Sequence, residues 1–227
     1  MLGYVSGAAL GRRTPIWSVS MADVLVLVAH PDLRASRANL LMLKAARAAA
    51  DAAPQHIEVR DLYALYPDYV IDVAAEQAAA ASARLIVWQH PIHWYAMPPL
   101  MKLWLDEVLE LGWAYGRDGT ALAGRDLWLV ASTGGPEDAY HPKGYNRYFF
   151  DAFLPPYEQT AALCGMRFLP PLVLHGAHSI GKEILEAHVQ RYVDALQRYP
   201  DWPELADLDA CPGCEVPVTD RPVVQEA

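Results

Sequence analysis

Three short, wholly apolar runs, each followed by a turn and later by a helical stretch, leave few architectures open to this chain. Val24-Leu25-Val26-Leu27-Val28-Ala29 is rich in β-branched residues and has no polar position. That is the pattern of a central parallel strand covered on both faces. Leu85-Ile86-Val87-Trp88 and Leu127-Trp128-Leu129-Val130-Ala131 repeat it. Residues 56–61 read as a shorter strand. Residues 168–174 read as a sheet-edge strand, loosened by Pro170 and Pro171. Helical stretches are expected at 36–53, 72–83, 98–111, 147–165 (broken near Pro155 and Pro156) and 181–199. In the first of these, Arg37, Lys44, Arg47 and Asp51 share one face, while Leu40, Leu41 and Ala48 turn elsewhere. Alternating strands and helices imply right-handed crossovers, hence an α/β chain with a doubly wound parallel sheet and helices on both faces.

The 227 residues suit one such domain of about 180 residues with loose ends. Residues 1–21 read as a flexible extension, 22–199 as the domain and 200–227 as a disordered, acidic, proline-rich tail. A formal net charge of -9 argues against nucleic acid as the partner. No run approaches the roughly 20 apolar residues of a membrane span. Three cysteines make a poor disulfide framework, which points to a reducing cytoplasm. The Cys211-Pro-Gly-Cys214 pair offers too few thiolates for a closed zinc site, so no metal is expected.

In a parallel α/β sheet, the loops after the strand ends converge on one edge, where ligands bind. The first of these runs from His30 to Asn39. Ser36 is a good N-cap, and the amides of Arg37, Ala38 and Asn39 open the helix behind it, where an anion is favoured by about 0.3–1 kcal/mol per charge interaction. His30 can add a donor. The loop lacks the glycines of a Walker A or dinucleotide motif, which leaves a monophosphate cradle or simple capping. The second loop, Ile92-His93-Trp94-Tyr95, offers aromatic faces and amides to a planar ring, or packs beneath the proline-rich turn that follows. The third, Ser132-Thr133-Gly134-Gly135, offers bare backbone able to donate to a ring edge, or is an ordinary turn. Beyond it, Tyr140 and His141 are candidate proton donors on what is otherwise a solvent-facing lid. The helix at 98–111 has one polar stripe (Lys102, Asp106, Glu110). Its remaining surface, including Met101, Trp104, Leu105 and Val108, is broad enough to predict a partner subunit on it, unless the chain's own loops roof it.

Taken together, His30, Ser36-Arg37-Ala38-Asn39, Asp61-Leu62-Tyr63, Trp88 to Tyr95, Pro99 to Asp106, Gly112-Trp113-Ala114-Tyr115-Gly116 and Thr133-Gly134-Gly135 resemble the flavodoxin-like NAD(P)H:quinone oxidoreductases. The nearest branch is the ancillary oxidoreductases of bacterial glutathione-gated potassium-efflux systems. The resemblance implies a five-stranded sheet of order 2-1-3-4-5, a homodimer, bound FMN or FAD, and NAD(P)H as co-substrate. It implies two-electron, ping-pong reduction of quinones or related electrophiles in the cytoplasm, beside an inner-membrane potassium antiporter. The alternative is a regulatory flavin-binding subunit that docks on such an antiporter with little catalysis. The resemblance puts His30, Ser36, Arg37, Ala38 and Asn39 at the flavin phosphate. It puts Ile92, His93, Trp94, Tyr95, Ser132, Thr133, Gly134 and Gly135 around the ring. Tyr140 falls where related enzymes carry a tyrosine that assists hydride transfer. The histidine that accompanies it in those enzymes corresponds to Asn146, so either His141 substitutes or there is no histidine relay.

Overall fold

The computed structural model describes residues 22–206; the expectations for the N-terminal extension and for Cys211 and Cys214 lie outside the described residues. The elements in chain order are β1 (Val24–Val28), α1 (Arg37–Ala52), β2 (Ile57–Asp61), α2 (Leu62–Leu65), α3 (Val73–Ser82), β3 (Leu85–Pro91), α4 (Pro99–Val108), β4 (Asp126–Ser132), α5 (Pro155–Leu163), β5 (Arg167–Leu174) and α6 (Lys182–Arg198). The five strands are parallel and ordered β2-β1-β3-β4-β5, as the resemblance implied. Alternation along β1 sorts its side chains between two cores. Leu25 and Leu27 pack with α3, α4 and α5, while Val24, Val26 and Val28 pack with α1 and α6.

Four sequence expectations need correction. On α1 the buried stripe is Ala38, Asn39, Met42, Leu43, Ala46 and Ala49; Leu40 and Leu41 are half-buried and Ala48 is exposed. Residues 147–165 are not a broken helix. Pro155 and Pro156 begin α5, in the first turn where a missing N–H costs nothing, and a 3₁₀ turn at Phe150–Phe153 precedes it. The apolar surface of α4 needs no partner, because Leu100, Met101, Trp104, Leu105 and Val108 are all buried in the chain's own core. Trp202, at the start of the expected tail, packs instead of trailing away. Trp202 meets the Trp128 ring edge-on at 4.9 Å, and its indole N–H donates to the Ala195 carbonyl at 2.7 Å.

Among the described residues no helix is long and apolar enough to cross a membrane. Two histidines are held neutral by burial, His90 on β3 and His188 on α6, each with its pKa lowered to about 4 from 6.5. The His90 Nδ1–H donates to the Pro91 carbonyl at 3.0 Å, and its ring stacks on Tyr157. Both folded-state values lie below the unfolded one, so the unfolded chain binds more protons between them. The stability these residues contribute is full above pH 6.5 and is lost as pH falls toward 4. Melting temperature is expected to fall on acidification across this window, and His188→Leu is expected to flatten that fall.

Candidate functional site

The loops after β1, β3, β4 and β5 meet at the carboxyl edge of the sheet around a recess of about 450 Å³. Its floor is the start of α1. Ser36 caps the helix, its Oγ accepting the Asn39 amide at 3.2 Å, and the first backbone bond of the helix is Leu40 N–H to the Ser36 carbonyl. The Arg37 and Ala38 amides therefore precede any intrahelical acceptor and carry the positive end of the helix dipole. Ala38 is buried in the core and does not line the recess, whereas Arg37 lines it and donates to the Ile180 carbonyl. The Asp32 amide donates to His30 Nδ1 at 3.1 Å, which fixes the proton of the neutral ring on Nε2. Burial, followed by the neighbouring His93, lowers the His30 pKa, so the ring enters the recess as a neutral donor. Ser132 and Thr133, both buried, end β4 at the same recess.

A second hollow of about 200 Å³ adjoins it, with Ile92 and Gly134 common to both. Trp94, Tyr95, Gly135, Tyr140, Tyr145 and Asn146 complete its walls. The second loop is a two-residue hairpin closed by His93 and Ala96, each N–H bonded to the other's carbonyl. Its tip residues take left-handed backbone, Trp94 at φ 49° and Tyr95 at φ 65°. Such turns favour Asn-Gly, and a bulky residue there stores about 1–3 kcal/mol. Trp94 is 92% exposed, so packing within the chain does not offset the strain. Tyr95 stacks on Phe153 with ring centroids 5.1 Å apart, and its hydroxyl donates to Asn146 Oδ1 at 3.2 Å. The amides of Trp94, Tyr95, Gly134 and Gly135 donate to no protein acceptor among the described residues.

Tyr140 is buried, with rings of Phe150, Phe153 and His175 around it, the last at 5.3 Å. Burial raises its pKa, while the nearby Thr133 hydroxyl acts against that rise. His141 does not join this cluster. It is exposed, packs edge-on against Phe149 at 5.2 Å and lines a separate hollow beside Glu137 and Asp138. Sequence reasoning missed the fourth loop, Leu174-His175-Gly176-Ala177-His178. Ala177 and His178 line the recess, and His175 Nδ1 lies 3.1 Å from Thr133 Oγ1. The rule that singled out the other three loops, a turn just past a strand's carboxyl end, applies equally to this one. Among the described residues no cluster could hold a metal ion.

A family described as having a flavodoxin-like fold matches residues 22–198. The chain belongs to this flavodoxin-like family. It is 45% identical over 181 residues to the glutathione-regulated potassium-efflux system ancillary protein KefF of Citrobacter koseri, covering 80% of this chain and 97% of that one. Among solved structures, the general stress protein 14 of Treponema denticola, in complex with FMN, is 38% identical with a TM-score of 0.70, covering 77% of this chain and 99% of that one. An NADPH-quinone reductase from P. pentosaceus is 26% identical with a TM-score of 0.64, covering 78% and 96%. In this flavodoxin-like chain the donor set suits a phosphate-tailed planar ligand. Hydroxyls, a neutral imidazole N–H and helix-start amides line the recess, and unpaired amides and aromatic faces line the hollow next to it. Gly134 leaves that junction open, since a Cβ there would stand 3.1 Å from the His178 ring.

Proposed function

We propose that the protein binds FMN and works as an NAD(P)H oxidoreductase that reduces quinones or related electrophiles in a ping-pong cycle, beside a membrane potassium-efflux system. The observation that carries this reading is the junction of an anion recess and a flat, amide-edged hollow at Ile92 and Gly134. The KefF relatives and the NADPH-quinone reductase neighbour support the efflux and quinone parts of it. When bound, flavin would supply two-electron hydride chemistry between a nicotinamide and the acceptor.

The chain's own residues hold and tune that group. Ser36, Arg37, Ser132, His30 Nε2–H and the Arg37 and Ala38 amides would bind the phosphate, with Asn39 holding the two serines. Ile92 would flank the ring, with Thr133 and His93 nearer its phosphate side. The Trp94, Tyr95, Gly134 and Gly135 amides meet its polar edge, where donors favour the negative charge that develops on reduction. Trp94 and Tyr95 offer faces for stacking. Tyr140 delivers or holds the proton that accompanies reduction of the acceptor. His175, whose ring packs 5.3 Å from that of Tyr140, takes the supporting role first assigned to His141. Exposed Trp94 and Tyr145 on the hollow's walls support a homodimer in which a second copy covers it.

A second reading, a flavin-binding regulatory subunit docked on the antiporter, is favoured by the naming of the KefF relatives as ancillary proteins. The two readings separate on one variant. Tyr140→Phe is expected to slow oxidation of the NAD(P)H-reduced protein by a quinone about 10-fold or more, as loss of a general acid does, with the bound-flavin spectrum unchanged. An unaltered stopped-flow rate would remove Tyr140 from the relay. Full efflux activation by a variant that no longer turns over would favour the regulatory reading.

The strained hairpin gives a further expectation. Trp94→Asn should raise apo-protein stability by about 1 kcal/mol, because asparagine tolerates left-handed backbone. The same change should weaken flavin retention through lost stacking. Thermal melts with and without FMN measure both effects.

A further inference from the structure

A buried chain of hydrogen bonds runs from α6 across β3 to the anion recess. The Tyr192 hydroxyl donates to Gln89 Oε1 at 2.8 Å, and Gln89 Nε2 donates to the Asn39 backbone carbonyl at 3.4 Å. Asn39 Nδ2 then donates to both Ser36 Oγ at 3.1 Å and Ser132 Oγ at 2.9 Å. Tyr192, Gln89, Asn39 and Ser132 are each no more than 2% exposed, so water does not compete along this path.

The direction of these bonds has a chemical consequence. A serine hydroxyl has one proton to give and two lone pairs to receive. Ser36 Oγ already accepts from the Asn39 amide and from Asn39 Nδ2, so only its proton remains for a ligand. Ser132 Oγ accepts from the other side of the same Asn39 group. The Asn39 Oδ1 atom is buried and has no partner. The opposite amide orientation would instead leave an NH₂ group unpaired. Orphaned buried N–H groups are rarer than under-satisfied carbonyls, which favours the orientation observed.

We propose that Asn39, held by Gln89 and Tyr192, is a positioning residue that turns Ser36 into an obligate donor and biases Ser132 the same way, so that the recess selects an acceptor-only phosphate ester. The inference rests on the recess taking the flavin's phosphate tail. It adds that the selectivity is imposed from behind the site, through Asn39, by Gln89 and Tyr192, which do not line the recess.

The test uses the full-length protein freed of flavin and titrated with FMN, with riboflavin and with inorganic phosphate. Tyr192→Phe is expected to weaken FMN about fivefold, the worth of one hydrogen bond, with riboflavin affinity held. Asn39→Leu, which removes both side-chain bonds, is expected to weaken FMN roughly 25-fold on the same scale, again sparing riboflavin. Equal losses for FMN and riboflavin would mean a merely structural role and overturn the proposal, as would no loss of FMN affinity. Should the unaltered protein bind neither flavin, the flavin reading fails by itself. The phosphate titration then decides the polarity proposal: weaker phosphate binding in both variants upholds it, and equal binding, or none in the unaltered protein, overturns it.

Discussion

Gly134→Asp is expected to abolish flavin retention while leaving the fold intact. Gly134 belongs to both the recess and the hollow, it is exposed, and its backbone is not in the left-handed region that would exclude another residue. The new Cβ would meet the His178 ring at 3.1–3.2 Å, a contact that the side chain can relieve by rotating. The carboxylate cannot be relieved in the same way. It would sit in a recess whose lining is built to donate, next to a phosphate of the same sign. Like charges a few ångströms apart near a protein surface repel by about 3 kcal/mol, roughly a hundredfold in affinity. Equilibrium dialysis against FMN should show that loss, with an apo melting temperature close to that of the unaltered protein. Gly134→Ala, which brings the steric change without the charge, should cost far less.

Glu76→Leu is expected to be the most damaging single change to the fold. Glu76 is fully buried on α3 and serves three elements at once. It accepts from Arg60 of β2 at 2.7 and 2.9 Å, from the Tyr66 hydroxyl at 2.5 Å and from the Trp104 indole of α4 at 2.8 Å. Leucine satisfies none of these donors. The Arg60 guanidinium keeps Glu58 but loses its buried partner, and two further donors are stranded in the core. Breaking a buried pair in this way costs about 3–5 kcal/mol, a large share of the stability of a typical domain. Denaturant unfolding should show the midpoint falling accordingly. Adding Arg60→Met to Glu76→Leu should recover part of the loss, because the unpaired charge is then gone.

The sheet was legible because a parallel strand buried on both faces has to be apolar throughout, and Val24 to Ala29 can be little else. The face of α1 was not. It is packed by Ala38, Ala46 and Ala49, which differ in no chemical respect from the exposed Ala48, so periodicity had nothing to hold on to. On α4 the residues were read correctly and their surroundings were not. Trp104 is buried by its bond to Glu76 and by this chain's own core, which no local pattern announces. The three ligand loops followed from strand ends and turn chemistry. The fourth loop escaped because Pro170 and Pro171 weakened the strand before it, and with it the signal that His175 and His178 arrive at the site. The Tyr192–Gln89–Asn39 chain joins residues 103 and 50 positions apart and exists only in the folded protein.

The central claim is that the recess behind Ser36 and Ser132 and the hollow beside Trp94 hold one phosphate-tailed flavin. The most direct measurement is the absorbance spectrum of the purified full-length protein, followed by heat release and identification of the chromophore. A yellow protein that releases FMN, or a stripped one that regains the flavin spectrum with FMN, is the predicted result. A colourless protein that takes up no flavin on reconstitution would contradict it.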